Sequence, residues 1–86
     1  MDLQKGFWVY AIVSEKDKVI YVGMATDCDL RLKEHNNGKS KYTSGHTPWR
    51  IFYREYVGDS SNAREREKYF KRGAGKRRLR AILESE

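Results

Sequence analysis

Three features of the sequence predict a mixed α/β (α+β) domain with the element order β-β-α-β-α-α. Two β-branched and aromatic runs, Phe7 to Val13 and Val19 to Met24, flank the polar stretch Ser14 to Lys18 and read as a hairpin. Two helical stretches, Asp27 to Asn36 and Asn62 to Arg72, each end near a glycine, Gly38 and Gly73. Between them Trp49 to Val57 alternates as a third strand. A chain of 86 residues reads as a single domain, 1–86, with its core over about 7–83. A domain of this size hides only about 60–65% of the surface its unfolded chain exposes, so the core is small.

Taken in order, the hairpin comes first. If Val13 pairs with Lys18 across a four-residue loop, Tyr10 falls opposite Tyr21 and both phenols share one face. A loop one residue longer would place Tyr10 opposite Val22 and send Tyr21 to the other side. In the first helix Thr26 or Asp27 is the N-cap. At about 100° per residue Cys28 and Leu32 form one stripe, Arg31 and His35 form an adjoining one, and Leu30 lies on the far side. Gly38 to Pro48 reads as a loop, and Gly58 to Ser61 turns the chain after the third strand.

The second helix begins with an Asn62/Glu65 capping pair and faces inward through Ala63 and Phe70. Glu67 falls between those two on the helical wheel, whereas Glu65 points toward solvent. A carboxylate on an apolar stripe is costly unless it is paired or coordinates a cation, so Glu67 needs a physical reason. After the Gly73-Ala74-Gly75 break, Arg77 to Leu83 forms a short final helix with Leu79, Ile82 and Leu83 buried.

Composition narrows the function classes. Charged residues make up 35% and the mean hydropathy is −0.90, yet the chain has 11 aromatics, too many for disorder. Phe7 to Val13 is far shorter than the ~20 residues of a membrane span, and its aromatic, β-branched character reads as a strand rather than a signal segment. One cysteine cannot make an internal disulfide, and the cytoplasm is the expected compartment. The net charge of +6 is uneven: Arg64 to Arg80 carries +7 and the rest of the chain −1. Such a patch suits a phosphate backbone, or else a solvated helical face.

Tyr10, Tyr21, Gly23, Arg31, His35 and Glu67 fall near the sheet face and resemble a known set. Trp8-Val9-Tyr10, then Tyr21-Val22-Gly23, then Arg31 and His35 on a helix and Glu67 on a later helix are similar to the GIY-YIG nuclease domain over about residues 7 to 83. The run Leu32 to Lys39, the steps Lys41-Tyr42-Thr43 and Pro48-Trp49, and Arg66 to Lys71 resemble the small single-domain bacterial members. Trp8 stands where the family name has glycine. The resemblance implies a three-stranded antiparallel sheet flanked by helices, one divalent metal ion (Mg2+ or Mn2+), and cleavage of phosphodiester bonds in DNA, with a role in repair or recombination.

The same resemblance assigns Tyr10 and Tyr21 to the motif tyrosines, Gly23 to the motif glycine, Arg31 to the helix arginine, His35 to the residue one turn later and Glu67 to the metal ligand. The residue chemistry is compatible. A lone carboxylate suits magnesium, which keeps several waters. Arg31 presents a bidentate fork to phosphate oxygens. Only about one free tyrosine in a thousand is ionised at neutral pH, so Tyr10 needs help from a cation or a second phenol, and His35 is a competing base. Gly23 leaves room for a close approach.

Lys39, Lys41, Tyr42, Lys71, Lys76, Arg77 and Arg78 are the expected DNA contacts, with Tyr42 or Trp49 available for stacking. Selectivity would follow DNA structure rather than sequence, or come from an oligomer or a protein partner. Each residue also has a plainer reading: strand packing for Tyr10, Tyr21 and Trp49, a structural Arg31–Glu67 ion pair, an inert core thiol at Cys28, and no role for His46. The alternatives for the whole chain are a catalytically silent nucleic-acid-binding module and a domain that binds an acidic protein.

Overall fold

Ser14 ends the first strand, and its side chain organises the turn that follows. In the computed structural model, which describes residues 6–86, Ser14 Oγ accepts the backbone N–H groups of Lys16 and Asp17 and donates to the His46 carbonyl at 2.6 Å. Strands β1 (Phe7–Ser14) and β2 (Ile20–Ala25) are joined through this turn, where Lys18 takes a left-handed φ of 64°. The Ser14 N–H bonds to the Val19 carbonyl at 2.9 Å, so the loop runs from Glu15 to Lys18, one residue later than expected. That displacement moves the pairing by two positions. Tyr10 therefore lies opposite Gly23, and Tyr21 opposite Ile12, in place of the expected Tyr10–Tyr21 pair. A shift of two preserves the side-chain alternation, which is why both phenols still share a face.

Strand β3 (Trp49–Gly58) pairs antiparallel with the other side of β1, giving a three-stranded sheet in the order β2-β1-β3. Its alternation is not continuous. Ala11 pairs with Tyr53 but Ile12 pairs with Ile51, so the register slips at Phe52. This bulge turns Trp49 and Ile51 toward the Tyr10 face while Phe52 and Tyr53 pack on the opposite one.

Helix α1 (Cys28–Asn36) is capped by Asp27, whose carboxylate accepts the Leu30 N–H at 3.0 Å. Gly38 follows with a φ of 81°. The expected loop contains one helical turn, α2 (Lys41–Ser44). Helix α3 (Ser60–Phe70) starts two residues earlier than expected because Asp59 is the N-cap; its side chain accepts the Asn62 N–H at 2.9 Å, so Asn62 is capped and does not itself cap. Helix α4 (Gly73–Glu84) includes the glycine-rich stretch expected to break it. A Cβ on Gly75 would stand 2.0 Å from the Tyr69 carbonyl oxygen, so glycine here lets the first turn of α4 pass against the end of α3.

The two sheet faces bury different clusters. Val9, Ala11 and Val22 pack with Ala63 and Phe70 of α3 and Leu79 of α4. Tyr10, Ile12 and Trp49 pack with Cys28 of α1. Leu79 is fully buried as expected, whereas Ile82 and Leu83 are only half-buried. No helix among the described residues is long and apolar enough to cross a membrane.

Candidate active site

Tyr10 sits in the central strand beneath α1, with 2% of its surface exposed. Its hydroxyl lies 2.9 Å from His35 Nε2, and His35 Nδ1 lies 2.9 Å from Thr43 Oγ1 in α2. The Thr43 hydroxyl also points at the Ser40 carbonyl, 3.4 Å away. With that hydrogen on Thr43 directed to Ser40, His35 donates from Nδ1 and accepts the Tyr10 O–H at Nε2. His35 and Thr43 are themselves fully buried.

Gly23, the strand partner of Tyr10, makes room for this phenol. A Cβ there would stand 2.5 Å from the Tyr10 hydroxyl oxygen, so the close approach that the sequence suggested is made by Tyr10 itself. The Tyr21 ring meets the His35 ring edge to face at 5.1 Å. Arg31 lies one turn before His35 on α1, close enough to Tyr10 for each to shift the other's proton affinity, and donates from a guanidinium nitrogen to Glu34 Oε1 at 2.9 Å.

These neighbours set the proton affinities. Burial pushes the Tyr10 phenol well above its ordinary value, Tyr21 adds to that, and the Arg31 cation opposes it. Burial lowers the His35 pKa and the Arg31 charge lowers it further, so the imidazole is neutral near pH 7. The bond to Glu34 raises the Arg31 pKa and fixes one side of the fork. Cys28 is buried with its thiol pKa raised by desolvation, which fits an inert core residue.

Glu67 lies on a separate element. Helix α3 packs on the opposite sheet face, and Lys71, the residue after it, places its ammonium near the Tyr21 ring on the edge strand β2. Glu67 has 17% of its side chain exposed, against 74% for Glu65. Its Oε2 lies 3.3 Å from Lys71 Nζ, which in turn stands 6.0 Å from the centre of the Tyr21 ring. Tyr10, Tyr21, Gly23, Arg31 and His35 thus form one contiguous group, and Glu67 joins it through Lys71. The structural Arg31–Glu67 pair is not formed; the partners are Glu34 and Lys71.

Helix α3 is held in place by Arg66, the neighbour of Glu67. Arg66 donates through Nε and a terminal nitrogen to both carboxylate oxygens of Glu55 on β3, at 2.6 and 2.9 Å, while Tyr53 donates to the same carboxylate at 2.6 Å. The guanidinium stacks 4.8 Å from the Phe70 ring centre. This bidentate link fixes how α3 is rotated against the sheet, and hence where Glu67 points.

No group of three or more His, Cys, Asp and Glu side chains among the described residues clusters as a metal site. Glu67 is a lone part-buried carboxylate paired with the Lys71 ammonium, so a divalent ion held there would have to displace Lys71 and take its remaining ligands from water and substrate.

The expected DNA contacts fall in separate places. Lys39 and Lys41 are exposed around α2, and Tyr42, 54% exposed, lies against Tyr21 at 6.0 Å. Lys71 and Lys76 flank an open pocket beside Tyr21 and Tyr42. Arg77 and Arg78 are exposed on α4, with Arg78 close enough to Glu55 to help lower its carboxyl pKa. Trp49 cannot stack on a nucleic acid: it is buried, and its indole N–H donates to the Thr43 carbonyl at 2.8 Å.

Sequence reading missed Thr43, Glu34 and Asn36. Asn36 clamps the end of α1 to β3 by exchanging hydrogen bonds with the Trp49 backbone at 2.7 and 3.1 Å. Glu34 was detectable as an acid one helical turn after Arg31. His46 bonds to Asp17 at 2.6 Å and packs between Tyr42 and Trp49, holding the α2 segment to the hairpin turn.

One sheet face thus sets a guanidinium held by Glu34 beside a buried phenol–imidazole pair. The family model of the GIY-YIG catalytic domain matches residues 6–80, and the chain belongs to that family of nucleases. Among its relatives is a UPF0213 protein of Clostridium perfringens, 36% identical over 76 residues that cover 87% of this chain and 81% of that protein. A UPF0213 protein of Bacillus licheniformis is 34% identical over 76 residues, covering 87% and 78%. Another, of Staphylococcus saprophyticus, is 36% identical over 74 residues, covering 85% and 90%. No solved structure matches the chain.

Proposed function

We propose that this protein is an endonuclease that hydrolyses phosphodiester bonds in DNA with one divalent metal ion, Mg2+ or Mn2+, in cytoplasmic DNA repair or recombination. The observation that carries the reading is the buried Tyr10–His35–Thr43 chain lying beside Arg31 on one sheet face. Glu67 would hold the metal, which when bound supplies positive charge to the phosphate and the leaving oxygen.

The proton acceptor is the pair rather than the isolated phenol. Burial makes a free Tyr10 phenolate unfavourable, but the hydroxyl can take a proton from water while passing its own to neutral His35 Nε2. Thr43 keeps the accepting nitrogen turned toward Tyr10. Arg31, held by Glu34, stabilises charge on the nonbridging phosphate oxygens. Tyr21 packs against the imidazole and limits its motion. Lys39, Lys41, Tyr42, Lys71, Lys76, Arg77 and Arg78 contact the DNA by structure rather than by sequence.

Nicking of supercoiled plasmid with and without Mg2+ tests the metal assignment. Glu67→Gln should abolish metal-dependent nicking while the protein keeps its thermal unfolding midpoint; an active Glu67→Gln protein removes Glu67 as the ligand. The pairing of Glu67 with Lys71 favours a second reading, a binding module without turnover. That reading predicts salt-sensitive DNA binding and no new ends with either metal.

A further inference from the structure

A pocket of about 290 Å³ opens at the free edge of β2, next to the site but distinct from the Tyr10–His35 chain. Ile20, Tyr21, Tyr42 and Phe70 give it apolar and aromatic walls, and Lys71 and Lys76 stand at its rim. Tyr21 belongs to both places: its ring meets His35 at 5.1 Å on the site side and Tyr42 at 6.0 Å on the pocket side. Tyr42 is 54% exposed and tilted only 31° from the Tyr21 plane, so it leaves an aromatic surface facing solvent. A flat apolar ligand with an adjacent negative charge matches both the walls and the rim.

We infer that this pocket takes one unpaired nucleotide of a DNA strand, its base against Tyr42 and Tyr21 and its phosphate on Lys71 and Lys76. The inference rests on the reading of DNA as substrate and narrows it to strands with unpaired bases. A base inside a duplex presents only its edge, and its faces are covered by neighbouring pairs, so a duplex cannot fill the pocket without unstacking. Stacking on an aromatic ring accepts any base, which suits recognition by structure rather than by sequence. A phosphate drawn to Lys71 would also compete for the ammonium that now pairs with Glu67.

Fluorescence anisotropy without divalent metal tests this, using a labelled single strand of about 15 nucleotides and the blunt duplex of the same sequence at one salt concentration. The wild-type protein should favour the single strand about tenfold. Tyr42→Ala should remove most of that ratio, and Tyr42→Phe, which keeps the ring, should retain it. A 2-aminopurine in the single strand should be quenched by wild-type protein and much less by Tyr42→Ala. Equal affinity for the two DNAs, or a ratio that survives Tyr42→Ala, overturns the pocket assignment alone. Failure to bind either DNA overturns the DNA reading beneath it, and the pocket with it.

Discussion

The two faces of β1 are equally buried and are built in opposite ways. Under α3 and α4, Val9, Ala11, Phe70 and Leu79 meet through apolar surface alone. Under α1, Tyr10, His35, Thr43 and Trp49 are just as deeply enclosed, but they carry polar atoms. No buried side-chain nitrogen or oxygen among the described residues lacks a hydrogen-bond partner. Apolar contact is non-directional and rewards area, so the first face supplies stability without fixing any one atom. Hydrogen bonds fix distance and direction at little net gain, so the second face supplies position. One strand, alternating every residue, provides both.

This difference can be broken most severely on the apolar side. Phe70→Ala should cost about 3–5 kcal/mol, a large part of what a domain of this size has, and lower the urea midpoint accordingly. A smaller effect is expected on the polar side. Tyr10→Phe keeps the ring but leaves His35 Nε2 buried without a partner, a loss of about 1–3 kcal/mol by the same titration.

The pH dependence sharpens the contrast further. The depressed His35 pKa means that the unfolded chain binds its proton more readily than the folded one. The stability linked to His35 is therefore complete above about pH 6.5 and is lost as pH falls toward the folded-state pKa. His35→Gln should flatten that part of the urea midpoint between about pH 8 and pH 5.5, whereas a wild-type slope unchanged in His35→Gln would place the titration elsewhere.

The strands, the aromatic pair and the acid on the α3 stripe were legible in the sequence because each is a matter of local periodicity. What escaped depends on contacts between distant segments. The turn moved by one residue because Ser14 bonds both to its own loop and to His46, which no local pattern reveals. Trp49 has two readings in the sequence, strand packing and stacking on a nucleic acid, and the bulge at Phe52 that turns it inward decides for packing. Thr43 lies in a stretch without helical periodicity and gains its place only when α2 lies against His35. The pairing of Glu67 with Lys71, which stands near Tyr21, was equally invisible, since the helical wheel shows which residue faces inward and not what it meets.

The most direct test of the hydrogen-bonded face as a reaction centre is plasmid nicking by Tyr10→Phe at saturating Mg2+, under conditions where melting shows the variant folded. Loss of the proton-transfer path from water to His35 should lower the nicking rate by about 10²–10⁴-fold. A folded Tyr10→Phe protein that nicks at the wild-type rate would contradict it, and would leave the phenol as packing.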